Sequence, residues 1–258
     1  MKFIASAVIY VVFAVVGLGA AVAAPTAEDI LAASDTIRNP GRPFSVTVTL
    51  TEFQAGKQVD TSTLGSYSRE QPDGQFASLI RFVLPARDAG KLMLKNGNDL
   101  WFYDPVAKSS VRLSPQQRLL GQASNGDVAT VNFAKDYRVK LLGQEVVQNG
   151  EKLQRNAHKL AMTAVAPDAT YASIEMWVDA ENNRPIKARF FAESTRLLKT
   201  AYYRRYELAL GLERPTETVI IDGVNPKSVT LMRLSDYKAI NIPDAWLQRD
   251  YLPRFQPE

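Results

Sequence analysis

The sequence predicts a mainly β, antiparallel protein with one domain, and three observations support this. From residue 44 onward, apolar and polar residues alternate with a period of two, which is typical of strands that bury one face. Gly, Pro, Asn and Asp separate these segments at short intervals, as in a β-meander. The chain is 46% hydrophobic, enough for a core, and no Pro/Ser-rich linker divides it.

The N-terminal segment, residues 1–23, has the features of a secretory signal peptide. Lys2 precedes an uncharged apolar run over 3–18, and small residues end it at Ala21-Val22-Ala23. A membrane anchor is the alternative, but about 16 apolar residues are marginal for a span. We therefore expect cleavage after Ala23, export to the periplasm, and a mature chain of residues 24–258.

A short helix is predicted next. Thr26-x-x-Asp29 resembles a capping box, and Pro40-Gly41 ends the helical run. The predicted apolar face comprises Ile30, Ala33, Ser34 and Ile37, whereas Glu28, Asp35 and Arg38 are placed elsewhere on the helix.

The first series of strands begins at Phe44, where Val46, Val48 and Leu50 alternate with threonines. Turn residues at 55–58, 72–74 and 96–98 connect it to later strands, and Asn96-Gly97-Asn98 is a strong hairpin signal. These later strands are predicted up to 69, over 76–84, 91–95 and 100–103, and at 111–113.

Residues 114–133 interrupt the alternation. Ser114-Pro115 predicts a short helix that carries Arg118-Leu119-Leu120, and a second helical or irregular piece follows Asn125. This insert is interpreted as a lid or a packing helix. Strands are then predicted at 136–148, 152–165, 171–179, 185–193, 197–209, 216–222 and 227–238, with a last short helix from Pro243 that contains Trp246.

Composition excludes several functions. The 31 basic and 27 acidic residues are interspersed and leave a net charge of +4, so no nucleic-acid stripe is indicated. There is no cysteine, which excludes disulfides, thiol nucleophiles and thiolate metal sites.

Candidate catalytic residues are few. His158 is the single histidine, and no Gly-x-Ser-x-Gly elbow accompanies it. Asp99 with Asp104, and Glu175 with Asp179, have a spacing that a glycosidase could use, but a solvated strand face explains them more simply. We expect no enzyme activity, no metal and no cofactor.

Large apolar residues occupy the predicted strands, as in 174–178 and 186–191. A curved sheet of this kind can enclose a cavity for an apolar ligand. From periodicity alone, a filled core is favoured over a cavity.

A series of motifs resembles a known family. The segment GNDLWFYDP at 97–105 is similar to the Gly-x-x-Leu-Trp-x-Tyr-x-Pro hairpin of LolA-like outer membrane lipoprotein-sorting proteins. Segments 90–94, 112–114, 121–127, 171–179, 184–187 and 198–200 resemble the longer branch of this family in the same order. The resemblance covers nearly all of 24–258.

The resemblance implies a half-open antiparallel β-barrel, as in LolA and LppX, with a few short helices closing its mouth. It implies a periplasmic carrier that binds lipoprotein or lipid acyl chains in an apolar cavity and moves them toward the outer membrane. The implied partners are an inner-membrane exporter, of the resistance-nodulation-division or ABC type, and an outer-membrane acceptor. Nucleic acid is not an expected partner. The alternative is a non-enzymatic accessory or interaction module of an envelope exporter that uses the same fold.

The alternation of the predicted strands and the family resemblance together indicate residues for the cavity and its lid. Candidate lining residues are Val48, Leu50, Leu79, Phe82, Leu92, Leu94, Phe102, Ile174, Met176 and Trp177, and a slip of one residue would exchange the two faces. Ile30 and Ile37 are candidate lid contacts. The resemblance assigns Arg69 the role of an arginine that hydrogen-bonds lid carbonyls. Arg81 and Arg112 are its rivals, and a surface arginine paired with Glu70 is the simpler alternative.

Overall fold

The computed structural model describes residues 24–97, 99–165 and 169–256. The predicted signal peptide and Asn98 of the predicted hairpin turn lie outside these residues. The helices are α1 (Ala27–Arg38) and α2 (Phe133–Asp136). The strands are β1 (Phe44–Gln54), β2 (Lys57–Glu70), β3 (Phe76–Leu84), β4 (Leu92–Asn96), β5 (Asp99–Asp104), β6 (Ser109–Arg112), β7 (Arg118–Leu120), β8 (Ala123–Ser124), β9 (Tyr137–Gln148), β10 (Gln154–Ala164), β11 (Ser173–Asp179), β12 (Pro185–Phe191), β13 (Leu197–Ala209), β14 (Leu212–Asp222) and β15 (Ser228–Ala239).

One large antiparallel sheet dominates the described chain. Its order is β6-β5-β4-β3-β2-β1-β15-β14-β13-β12-β11-β10-β9, so β6 and β9 are its two edges and the sheet is not closed. The first and last strands pair with each other, with Val48 opposite Leu234. The predicted half-open antiparallel architecture is confirmed.

The sheet curves around its main core. Met93 of β4 and Met162 of β10 lie far apart in the strand order, yet both belong to one buried cluster together with Ile30 of α1. Strands so distant can share a cluster only if the sheet bends around it. We call the face toward this cluster the inner face and the opposite one the outer face.

The outer face is covered near β2–β5 by the C-terminal residues. Ile242, Leu247 and Leu252 are buried there against strand residues such as Leu79 and Leu94. Among the aromatic residues, the ring of Tyr67 lies 5.6 Å from that of Trp246 and 5.7 Å from that of Phe255. The helix predicted after Pro243 is present as two 3-10 helices, Asp244–Leu247 and Arg249–Arg254.

The helix predicted around 118–120 is wrong. These residues form β7, which pairs with β8 in a separate two-stranded sheet. Gly121, between the two strands, has a φ of +53°, a left-handed conformation that reverses the chain and cannot continue a helix. Ala123 beyond the turn is fully buried in the main core, so packing favours the hairpin.

Among the described residues, no helix combines the length and apolarity needed to cross a bilayer.

Candidate functional site

A cavity lies between the inner face and the elements that cross it. Its strand walls include Val46 and Val48 of β1, Phe190 of β12 and Ala201 of β13. Val128 and Val131, from the segment between β8 and α2, line the opposite side. The cavity offers about 140 Å³ to the centres of water-sized molecules. One water needs about 10–15 Å³ of such space, so the cavity holds about ten waters and is too small for several acyl chains.

Several predicted lining residues do face this side of the sheet. Val48 lines the cavity itself. Leu50, Phe82, Ile174 and Met176 belong to the inner cluster, and Phe102 packs against it. Their contact with a ligand stays a prediction.

Four predicted lining residues lie on the outer face, so their assignment to the cavity is wrong. Leu79, Leu92 and Leu94 pack under the C-terminal residues, and Trp177 packs with Ala157 and Ile186. Successive strand residues point to opposite faces, and the inner positions here are Ile80, Met93 and Met176. Both faces of these strands are apolar, so alternation could not identify the inner one.

Helix α1 buries Ile30 and Ser34 of the predicted face, but its buried face is rotated toward Leu31 and Asp35. Ile30 is buried in the inner cluster, as expected of a lid contact, but Ile37 is only partly buried. Leu31 and Asp35 are buried instead. The charge of Asp35 predicts a solvent-facing position, because alternation and helix period do not reveal the partners that permit its burial.

Those partners join α1 to α2 and the segment before it. The Asp35 carboxylate lies 2.5 Å from Nη2 of Arg38 and accepts a hydrogen bond of 2.8 Å from the backbone N–H of Ala134. Arg38 also donates to the carbonyl of Val131 at 2.9 Å, and its guanidinium lies 3.8 Å from the ring centre of Phe133. We therefore treat α1 and residues 125–136 as one unit, called the cover.

Arg214 of β14 attaches the cover to the sheet. Its Nη1 donates to the carbonyls of Thr36 and Ile37, both at 2.8 Å, and its Nε donates to Ala209 at 3.1 Å. These carbonyls belong to the last turn of α1, where intrahelical partners are missing. Arg214 is buried, and the sequence does not reveal its role because the strand predicted at 216–222 leaves Arg214 in the preceding connection, whereas β14 begins at Leu212.

Arg69 has a different position from the one predicted. It donates to the carbonyl of Ile242 at 2.9 Å and lies 2.6 Å from the carboxylate of Asp244. The preceding Ser68 bonds Thr130 of the cover, so alternation points Arg69 to the outer face. Of the two alternative arginines, Arg81 points to the outer face because it follows the inward-facing Ile80. Arg112 pairs with Asp99 at 2.8 Å.

A polar cluster meets the apolar cavity at β13. Lys199 lines the cavity with a side chain that is 5% exposed, and it pairs with the Asp127 carboxylate of the cover. It also donates to the carbonyl of Gln122 at 3.0 Å, and Tyr171 Oη donates to Asp127 at 2.6 Å. Burial lowers the pKa of Lys199, although Asp127 opposes the shift. Burial, together with Asp127, raises the pKa of Tyr171.

The carboxylates considered for catalysis have structural partners. Asp99 pairs with Arg112, Glu175 lies 3.7 Å from Arg189, and Asp179 lies 2.7 Å from Arg155. Asp104 accepts the N–H of Val106 in a turn, and Nδ1 of His158 is 3.3 Å from Gln144. In residues 24–97, 99–165 and 169–256, no three His, Cys, Asp or Glu side chains group as metal ligands.

Comparisons with known proteins agree with this architecture. A family model described only as that of an uncharacterized protein matches residues 74–254. A LolA superfamily protein from Nitrosomonas europaea shares 33% identity and superposes with a TM-score of 0.79, covering 88% of this chain and 100% of that one. A search of curated proteins finds no match.

Two further structures share the fold at lower identity. A DUF1329 family protein from Desulfovibrio piger has 21% identity and a TM-score of 0.73, covering 88% of this chain and 97% of that one. A domain described as an outer membrane lipoprotein-sorting protein, from Vibrio parahaemolyticus, has 18% identity and a TM-score of 0.74, with coverage of 88% and 98%.

Proposed function

The chain belongs to the LolA superfamily, and from that membership we propose that it is a periplasmic carrier of acyl chains. Residues 24–258 form its single ligand-binding domain, and 1–23 direct its export. Acyl chains of a lipoprotein or lipid bind between the inner face and the cover, and the protein moves them toward the outer membrane. An inner-membrane exporter would supply the cargo and an outer-membrane acceptor would take it.

The observation that carries this proposal is the apolar cavity under the cover. Burying one methylene contributes about 0.8 kcal/mol, so about 14 methylenes of a C16 chain contribute on the order of 11 kcal/mol. Association costs several kcal/mol of this, which still leaves micromolar or tighter binding. No cofactor or chemical step is needed for such binding.

In this proposal the cover moves to admit the cargo, and the size of the cavity supports this. About 140 Å³ accommodates only part of a long chain. The cover buries apolar side chains in the inner cluster, and hydrogen bonds and ion pairs, such as those of Arg214 and Lys199, hold its edges. Water or ligand atoms can replace the polar contacts, and acyl chains can replace the apolar ones. Outward movement of α1 and residues 125–136 would extend the site along the inner face, where Leu50, Ile174 and Met176 lie.

A displacement assay tests the carrier function. Delipidated mature protein is loaded with the neutral fluorophore N-phenyl-1-naphthylamine, and fatty acids of increasing length are titrated in. We expect saturable displacement that strengthens with chain length. Native mass spectrometry of protein purified from its own periplasm would identify the natural cargo.

A matched pair of variants locates the binding site. Val46→Phe fills the cavity and should weaken fatty-acid binding, because Val46 lines it. Val147→Phe adds the same volume at a partly buried position of the outer face and should leave binding unchanged. Equal effects of the two substitutions would place the ligand elsewhere.

The small cavity also favours a second candidate, an accessory module of an envelope exporter with an essentially filled core. The same assay separates the two. Well-folded protein that shows no saturable displacement at any chain length would support the module and contradict the carrier.

A further inference from the structure

Lys199 is an unusual side chain for the wall of an apolar cavity. It extends from β13 on the inner face, with its side chain almost completely buried. Its Nζ lies 4.9 Å from the ring centre of Tyr171 and 5.6 Å from that of Phe190. A buried ammonium requires a counter-ion, because its desolvation is otherwise too costly.

The counter-ion belongs to the cover, whereas another partner stays with the sheet. Asp127, which pairs with Lys199, lies in residues 125–136. The Gln122 carbonyl also accepts from Lys199, and the Gln122 N–H is held by Thr230 of β15 at 2.7 Å. Movement of the cover therefore removes the negative charge from Lys199 and leaves a neutral partner.

Asp127 has two other donors, and both lie outside the cover, so its departure also breaks these bonds. Its Oδ2 accepts from the N–H of Ser124 at 2.7 Å, and its Oδ1 accepts from Tyr171 at 2.6 Å. Lys199 is left with a single charge in an apolar site, directed at the space that cargo would enter. An anionic oxygen of the cargo can take the place of the Asp127 carboxylate.

We propose that Lys199 is an anion-binding residue of the cavity, and that the cargo is an amphiphile with a carboxylate or phosphate next to its acyl chain. This proposal rests on the proposed carrier function and specifies the chemical class of its ligand. The anionic group exchanges with Asp127 when the cover opens, and Asp127 exchanges back when cargo leaves.

The test compares ligands that share a chain and differ in charge. Laurate, dodecyl phosphate and 1-dodecanol are titrated against delipidated mature protein that is loaded with N-phenyl-1-naphthylamine. One charge-assisted hydrogen bond corresponds to a preference of roughly tenfold or more for the anions over the alcohol. Preference for laurate or for dodecyl phosphate then distinguishes a carboxylate cargo from a phosphate cargo.

Two variants and a control assign the preference to Lys199. Lys199→Met combined with Asp127→Asn removes both charges together, because removing one would leave the other buried without a partner. It should bind 1-dodecanol as the wild type does and lose the preference for anions. Asp127→Asn alone should increase the affinity for laurate. Lys187→Met, at a partly buried lysine over the ring of Trp177, should change nothing.

The outcomes separate this proposal from the carrier function. Equal binding of laurate, dodecyl phosphate and dodecanol by the wild type would overturn the anion site and leave the carrier intact. A preference that persists in the double variant would also overturn it. If the double variant does not fold, unchanged or weakened laurate binding by Asp127→Asn contradicts the proposal. No binding of any of these ligands contradicts the carrier function itself.

Discussion

The two faces of the sheet are both apolar, yet they are covered in different ways. On the outer face of β2–β5, the C-terminal residues bury Ile242, Leu247 and Leu252, each no more than 2% exposed. On the inner face, the cover also buries apolar side chains such as Ile30 and Phe133, but Arg214 and Lys199 hold its edges by polar contacts, and it encloses a cavity.

This difference indicates which covering can move. Interlocked apolar side chains lose their full burial and packing energy when they separate, because water does not replace those contacts. A hydrogen bond contributes only about 0.5–1.5 kcal/mol net, since water replaces it. The cover of the inner face borders a cavity and is attached partly by polar contacts, so it is better suited to opening than the C-terminal residues on the outer face.

The largest expected effect is on the outer face. Leu247→Ala should lower the free energy of unfolding by about 2–5 kcal/mol, because Leu247 is buried in the outer cluster. Urea titration measures the loss. Fatty-acid affinity of the folded variant should equal that of the wild type, and a parallel loss of affinity would show that the two coverings are not independent.

Arg214→Leu should loosen the inner cover. The substitution removes the donors to the carbonyls of Thr36 and Ile37, and each hydrogen bond from a charged group contributes about 1.5–3 kcal/mol. Amide hydrogen exchange in α1 and the rate of lipid uptake should both increase.

Arg69→Leu is the matched control for Arg214. It frees the C-terminal residues at Ile242 and Asp244 and should leave exchange in α1 and lipid uptake unchanged. If Arg69→Leu takes up lipid faster than the wild type and Arg214→Leu does not, Arg69 is the residue that holds the lid.

Two replacements of alanine by leucine compare the packing of the two faces directly. Ala77→Leu inserts volume into the filled outer cluster and should cost about 1–3 kcal/mol of stability. Ala201→Leu extends into the cavity and should cost little, but it should weaken fatty-acid binding. Thermal unfolding and the displacement assay check the pair, and equal destabilisation would argue against space on the inner face.

The smallest effect concerns an ion cluster of the outer face. Burial alone would raise the pKa of Glu217, but hydrogen bonds and charges from Arg233, Arg204 and Arg205 outweigh it, so the pKa lies below its ordinary value. A carboxyl whose pKa is lower in the folded state adds stability above its unfolded pKa, and this stability disappears as pH falls through the folded pKa.

Glu217→Gln should therefore be less stable than the wild type at neutral pH and should lose less stability on acidification. Urea titrations at pH values between about 6 and 3 measure this slope. Glu213→Gln is the control, since Glu213 is exposed and pairs with Arg184. An unchanged slope in Glu217→Gln would show that this cluster does not govern acid stability.

Much of the fold could be predicted from local signals. The strands of the second half were expected within a few residues of their observed bounds, as for β13 at 197–209. The capping box at Thr26 starts α1, with Asp29 accepting the N–H of Thr26 at 3.0 Å. These features depend on side-chain alternation, turn chemistry and capping, which act between residues close in sequence.

The assignment of faces and partners depended on contacts between distant residues. Leu79, Leu92, Leu94 and Trp177 have the alternation of lining residues but face outward, because the C-terminal residues and neighbouring strands supply a second apolar layer. Arg214 reaches carbonyls of α1 near the other end of the chain, and Lys199 meets Asp127 across the cavity. A pattern with period two identifies a strand and its alternation, but its apolar side is ambiguous when both sides are buried. The packing of the sheet around its cover determined the inner face, and with it the residues that can meet a ligand.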